Sequence, residues 1–225
     1  MFSEPVLGDY ITICLLTAMS IGFCTGIAAL NNFGEERVIY WRESAMGISR
    51  PAYFLGKNVS ELPKLLIFLP LAFLCMFYPF TNPPASFSDL FAVMLCTTYA
   101  CSGCSYLISC FISPKSSQLC VVVFTLLSCM VGGANPSLKK LDDMGFAAQI
   151  AYSISFGRYA MEAMYISYVD KLTDVHADWR ATNLNAIGYK SDNFGFDLGM
   201  LLVIGTVTRV LSIVCLYQVN KGAQM

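Results

Sequence analysis

Four stretches of this 225-residue chain contain no Asp, Glu, Lys or Arg: 10–34, 65–88, 90–114 and 116–138. Each exceeds the roughly 20 residues with which an apolar helix crosses about 30 Å of hydrocarbon. Charged residues make up 13% of the chain, against about 25% in a typical soluble domain. The distribution decides more than the average: a soluble fold does not need four charge-free runs of this length. A net charge of −1 removes the basic surface that nucleic acid would require.

These runs predict an all-α, polytopic membrane protein with five spans, at about 10–30, 52–80, 87–112, 117–133 and 196–219. In the first, Gly22 and Gly26 form a GxxxG, a spacing that lets another helix approach closely. The second contains Pro63, Pro70 and Pro79, so it is expected to kink where neighbours re-satisfy the freed carbonyls. The start, MFSEPVLGDY, has neither a basic region nor a small-residue cleavage site and does not read as a signal peptide.

Lys and Arg in the short connections set the orientation. Residues 1–9 and 81–89 carry none; Arg37, Arg42, Arg50, Lys57 and Lys64 fall in 34–64, Lys115 in the next turn and Lys221 at the C-terminus. Segment 34–64, that turn and the C-terminus are therefore expected in the cytosol, and the long segment 134–195 outside. Within the external segment, 141–169 is apolar enough for two short helices broken near 155–157. These either dip into the outer leaflet as a re-entrant pair or cap the bundle. Residues 170–195 read as an exposed loop.

No phosphate-binding GxxxxGK[ST], GxSxG or HExxH is present. The ten cysteines all lie inside or at the ends of apolar segments, so Cys101-x-x-Cys104 reads either as zinc or redox chemistry or as packing between helices. Asp170, Asp174, His176 and Asp178 read either as a metal cluster or as a solvated loop. Arg209 lies twelve residues beyond Asp197, about 18 Å along a helix at 1.5 Å per residue. A charge at that depth either turns inward to a partner, for which Glu61 is the candidate, or snorkels to the inner interface.

The segment 34–64 gathers four acidic and five basic residues between apolar runs. Its doublets Glu36-Arg37 and Arg42-Glu43 accompany a stripe of Val38, Trp41, Ala45 and Ile48, which describes an amphipathic helix at the membrane surface. Mixed charge suits docking to a protein better than attraction to anionic lipid.

The run Glu36-Arg37 … Arg42-Glu43, with Tyr53-Phe54-Leu55-Gly56-Lys57 and Glu61-Leu62-Pro63, resembles the ABC-2 type membrane domain of G-subfamily ABC transporters. Gly132-Gly133, Tyr152-Ser153-Ile154-Ser155, Arg158-Tyr159 with Ala163, and Thr208-Arg209-Val210-Leu211 extend the resemblance in order along nearly the whole chain. The resemblance implies that the chain starts at the family's second transmembrane helix. The nucleotide-binding domain, with its ATP and Mg, the connecting helix and the first transmembrane helix would then lie outside it. It implies further that helix 34–48 is the coupling helix on that nucleotide-binding domain, with Glu36, Arg37, Trp41, Arg42 and Glu43 as contact residues. Two membrane domains, identical or not, would pair around an apolar cavity lined by Met19, Phe23 and Ile27 of the first span and Phe124, Leu127, Cys129 and Met130 of the fourth. Where many members carry bulky leucines as an outer plug, this chain has Ala134-Asn135-Pro136, which departs from the pattern. The external loop also lacks the cysteines that some members use for disulfides.

The expectation is thus the translocation portion of an ATP-driven exporter in the plasma membrane. Its substrates would be lipids, sterols or amphipathic xenobiotics, and the segment itself would be neither an enzyme nor a holder of a metal or cofactor. The rival readings are an intramembrane enzyme such as an acyltransferase, which needs converging His, Asp or Cys, and a channel-like or structural protein, which needs a polar stripe along a span.

Overall fold

The computed structural model describes residues 7–34, 46–47, 49–112, 114–133, 136–172, 184 and 187–219. Every regular element among them is helical. Helix α1 is Leu7–Gly34. Helix α2, Arg50–Leu62, runs through a π-helical segment, Pro63–Phe68, into α3, Leu69–Thr81. Next come α4 (Phe87–Phe111), α5 (Pro114–Met130), α6 (Leu138–Asp143), α7 (Phe146–Ile154), α8 (Phe156–Leu172) and α9 (Phe194–Val219).

Four of these stretches are long and apolar enough to cross a membrane: Asp9–Leu30, Leu55–Thr81, Phe87–Phe111 and Phe194–Cys215. The apolar part of α5, Ser116–Met130, is shorter. The π-helical turn begins at Pro63, where a missing N–H and a ring clash prevent regular i→i−4 bonding. Helix α3 stops at Asn82, whose left-handed backbone (φ 42°) caps it while its N–H donates to the Tyr78 carbonyl.

Helix α4 is the hub, packing on α1, α3, α5, α8 and α9. It starts at Ser86, whose hydroxyl accepts from the Asp89 N–H. Its middle is a run of small residues, from Ala100 to Ser105, all buried. Small side chains let several backbones converge, which in a membrane replaces the missing hydrophobic drive between helices. Its hydroxyls do not form a polar stripe. Thr97, Thr98 and Ser105 each donate to the carbonyl four residues back, at 2.7, 2.7 and 2.9 Å.

The GxxxG of α1 receives α5. A Cβ added at Gly22 would stand 2.6 Å from Thr125 Cγ2, and one at Gly26 2.5 Å from Val121 Cγ1. The Cys101 thiol donates to the Gly22 carbonyl at 3.2 Å, which makes it a bridge between α4 and α1. Cys104 is likewise buried.

Helix α8 resolves one open alternative. It does not cap the bundle but enters it, with Tyr159 to Val169 all buried against α1, α4, α5 and α9. The break before it falls at Ser155, where ψ of 120° turns the chain out of helix. The expectation of a wholly exposed loop over 170–195 is corrected: Leu184, Ile187 and Tyr189 belong to the largest apolar cluster. Isolated apolar residues in a polar stretch were too few to show a pattern in sequence, yet Tyr189 packs on Tyr165 with ring centroids 5.8 Å apart.

Candidate functional site: an apolar face and two polar nodes

Helix α5 has two faces with different tasks. Val121, Thr125 and Cys129, spaced four apart, form the buried line against α1. Leu119, Val123, Phe124, Leu126, Leu127 and Met130 are exposed on the other side. Of the expected cavity residues, Phe124, Leu127 and Met130 lie on this open face, and Ile27 of α1 is also exposed. Phe23 is half-buried, and Met19 is half-buried against Ala18, Cys129 and Met161. Cys129 is the correction: with no exposed surface, it faces the bundle because it continues the Val121–Thr125 line.

Where α5 meets α7, a cavity of about 180 Å³ opens to the surface, lined by Phe124, Leu127, Ser128, Val131, Ala151, Ile154 and Ser155. Its two hydroxyls are already satisfied by one another. The Gly157 N–H donates to Ser128 Oγ (3.2 Å), the Ser128 and Ser155 hydroxyls meet at 2.8 Å, and Ser155 donates to the Ser128 carbonyl at 2.7 Å. This closed ring staples α8 to α5. It works only because residue 157 is Gly, since an added Cβ would stand 2.5 Å from the Ser128 oxygen. The cavity therefore presents hydrocarbon and no unmet polar group, and no charge lines it.

The first polar node surrounds Arg209. Helices α4 and α9 approach closely at Gly103 and Gly205; a Cβ on Gly205 would lie 2.5 Å from Tyr99 Cδ1. That proximity lets the guanidinium reach across. Nη1 donates to the Tyr99 and Gly205 carbonyls at 2.8 and 3.1 Å, Nη2 to Ser102 Oγ at 2.6 Å, and Nε to Asn58 Oδ1 at 3.3 Å. Cζ stands 3.8 Å from the Tyr99 ring centroid, a cation–π contact. Arg209 thus turns inward, to neutral acceptors. Glu61 lines the same crevice and is buried, but its ion pair is with Lys64 at 3.7 Å. Expecting a carboxylate for Arg209 overlooked the backbone carbonyls that a glycine contact exposes.

The second node lies near the other end of α9, around its first turn. Arg158 and Glu162 of α8, one turn apart, form a buried ion pair with Nε–Oε2 at 3.8 Å. Glu162 Oε1 accepts from the Lys190 N–H (3.1 Å) and Asn193 Nδ2 (3.3 Å), tying the approach to α9 onto α8. Asp197, in the first turn of α9, is fully buried and lies within the electrostatic reach of Glu162 and Arg158. Nearby, the Tyr189 hydroxyl donates to the Gly132 carbonyl at 2.7 Å. Burial pushes that phenol well above its ordinary range, so it remains a neutral donor. Sequence reading passed over Glu162 and Asp197. The one signal was an Arg and a Glu at i, i+4 in an otherwise apolar helix.

Glu36, Arg37, Trp41, Arg42 and Glu43 lie outside the described residues, as do Ala134, Asn135, Asp174, His176 and Asp178.

The family model for ABC-2 type transporters matches residues 7–222. Among curated relatives, Putative white-brown complex homolog protein 30 of Arabidopsis thaliana is 28% identical over 91% of this chain and 18% of its own length. ABC transporter G family member 28 of the same plant is 27% identical over the same shares. ABC-type transporter claG of Penicillium crustosum is 33% identical over 70% of this chain and 21% of itself. The chain thus spans about a fifth of the length of these relatives. A match over every described helix shows the family: the chain belongs to the ABC-2 type transporter family.

Proposed function

We propose that this chain forms the translocation portion of an ATP-driven exporter for apolar or amphipathic substrates such as lipids, sterols or xenobiotics. The observation that carries the reading is the uncharged cavity between α5 and α7, whose walls include Phe124 and Leu127 and whose hydroxyls are internally satisfied. A hydrocarbon substrate loses no hydrogen bonds on entering such a site, whereas a polar one does. A second membrane domain, identical or not, faces α1 and α5 and closes the path between them. The segment 34–48 docks on a nucleotide-binding domain that binds ATP and Mg, with Glu36, Arg37, Trp41, Arg42 and Glu43 fixing the register through mixed charge. Closure of that motor switches access to the cavity from the cytosol to the exterior, in the plasma membrane.

The test uses the full-length polypeptide in proteoliposomes with a fluorescent amphipath. Leu127→Glu is expected to abolish ATP-dependent movement of the probe and its stimulation of ATP hydrolysis, with basal hydrolysis retained. Undiminished movement in Leu127→Glu removes the cavity from the path. Movement that continues without ATP favours a channel. Arg42→Glu is expected to uncouple hydrolysis from transport, and unchanged coupling in that variant removes the docking role.

A further inference from the structure

One wall of the cavity between α5 and α7 is positioned by a residue that does not line it. Phe124 and Ser128 lie one turn apart on α5, and both face the cavity. Ser128 also grips the start of α8. Its Oγ accepts from the Gly157 N–H at 3.2 Å and meets the Ser155 hydroxyl at 2.8 Å, while its carbonyl accepts from Ser155 at 2.7 Å. Phe156 sits between these two bonded residues, so its backbone is anchored to α5 from both sides. Its ring is fully buried, in a cluster with Ala100 and Cys101 of α4 and Leu201 of α9. On the α1 side, a Cβ added at Gly22 would lie 3.8 Å from Phe156 Cζ, which is van der Waals contact. Helices α1, α4 and α9 thus close the space around the ring, and it has nowhere to retreat.

Phe124 leans on that ring, with centroids 6.1 Å apart and an interplanar angle of 37°, inside the range over which aromatic pairs attract. Phe124 is 38% exposed, so it has the cavity on one side and Phe156 on the other. At about 180 Å³ the cavity is smaller than the roughly 300–1,000 Å³ of pockets that enclose drug-sized ligands, so a ring's worth of room behind its wall is a large change. The geometry points to Phe156 as the residue that limits the bulk of apolar substrate the cavity accepts, by acting as a fixed backstop to Phe124. Phe156 touches no substrate; it is a positioning residue. With a smaller side chain at 156, Phe124 settles into the vacated space and the cavity deepens. This role rests on the cavity lying in the transport path.

The experiment measures selectivity of the full-length polypeptide in proteoliposomes with ATP. Two fluorescent amphipaths share a headgroup and a fluorophore; one carries a single alkyl chain, the other a sterol tail. Phe156→Leu is expected to raise the ratio of kcat/KM, sterol over alkyl, by about tenfold, with the change in KM. A loss of fold or of coupling lowers both probes alike and leaves that ratio in place. Phe124→Ala is expected to move the ratio in the same direction, and the double variant no further than Phe124→Ala alone. Phe124→Trp is expected to move it the other way, because against an intact backstop the added ring grows only into the cavity. An unchanged ratio in Phe156→Leu overturns the proposal, and so does a double variant whose shift is the sum of the two. If Phe156→Leu does not fold, Phe124→Trp decides: a ratio that stays or rises shows that the wall yields. Leu127→Glu separates this outcome from the transport reading. Where Leu127→Glu abolishes movement and Phe156→Leu leaves the ratio unchanged, the path stands and the backstop falls; undiminished movement in Leu127→Glu removes both.

Discussion

The two polar nodes solve the same problem, an arginine inside a greasy bundle, in opposite ways. Arg209 shares its crevice with Glu61, yet its partners are two backbone carbonyls, a serine, an asparagine and an aromatic face. Arg158 instead pairs with the carboxylate of Glu162 at 3.8 Å, and among the described residues neither Arg158 Nε nor Glu162 Oε2 has a hydrogen bond. The first node keeps its full charge and leaves no acceptor wanting, so it behaves as a fixed rivet between α4 and α9. The second is an ion pair whose carboxylate is held from the other side by the Lys190 N–H and the Asn193 amide. Oriented neutral dipoles are thus enough to hold one buried guanidinium, whereas the other is held by a carboxylate one turn along its own helix.

The comparison breaks hardest at Arg158. Arg158→Leu leaves the buried Glu162 carboxylate with no cation, and loss of a buried partner is expected to cost about 3–5 kcal/mol in reversible unfolding from mixed micelles. Adding Glu162→Gln to Arg158→Leu is expected to restore a large part of that loss; two independent, additive losses would show that the two groups do not pair. At the other node, Arg209→Lys keeps the charge and loses the planar fork. With one ammonium unable to reach four acceptors, a cost of about 1–3 kcal/mol is expected in the same assay, with no added pH slope. Ser155→Ala opens the ring that staples α8 to α5 and is expected to cost about 1 kcal/mol. The smallest effect belongs to Glu61→Gln, because its partner Lys64 is largely exposed and a screened pair contributes about 0–1 kcal/mol.

The helical spans were legible because backbone satisfaction in hydrocarbon leaves few options, and charge-free runs mark them directly. The GxxxG of α1 was legible as a close-approach face, though not which helix would use it; α5 does, through Val121 and Thr125. The register of the expected cavity residues was not legible. Cys129 and Leu127 are two residues apart in an apolar run, and nothing local distinguishes the one that packs on α1 from the one that stays open. Ser128 and Ser155 were unremarkable in sequence because their meaning is a bond across 27 positions.

By itself, the sequence determined that this chain is helical, that it lies in a membrane, and which family it resembles. These follow from length, apolarity and charge, properties that each segment carries alone. Only the tertiary structure decided which charges meet. Arg209 went to carbonyls rather than to Glu61 because Gly103 and Gly205 bring two backbones within its reach, and Glu162 met the Lys190 N–H and the Asn193 amide because α8 enters the bundle instead of lying over it. Partnership between charges depends on distances of a few ångströms between segments far apart in the chain, and no single segment encodes those distances.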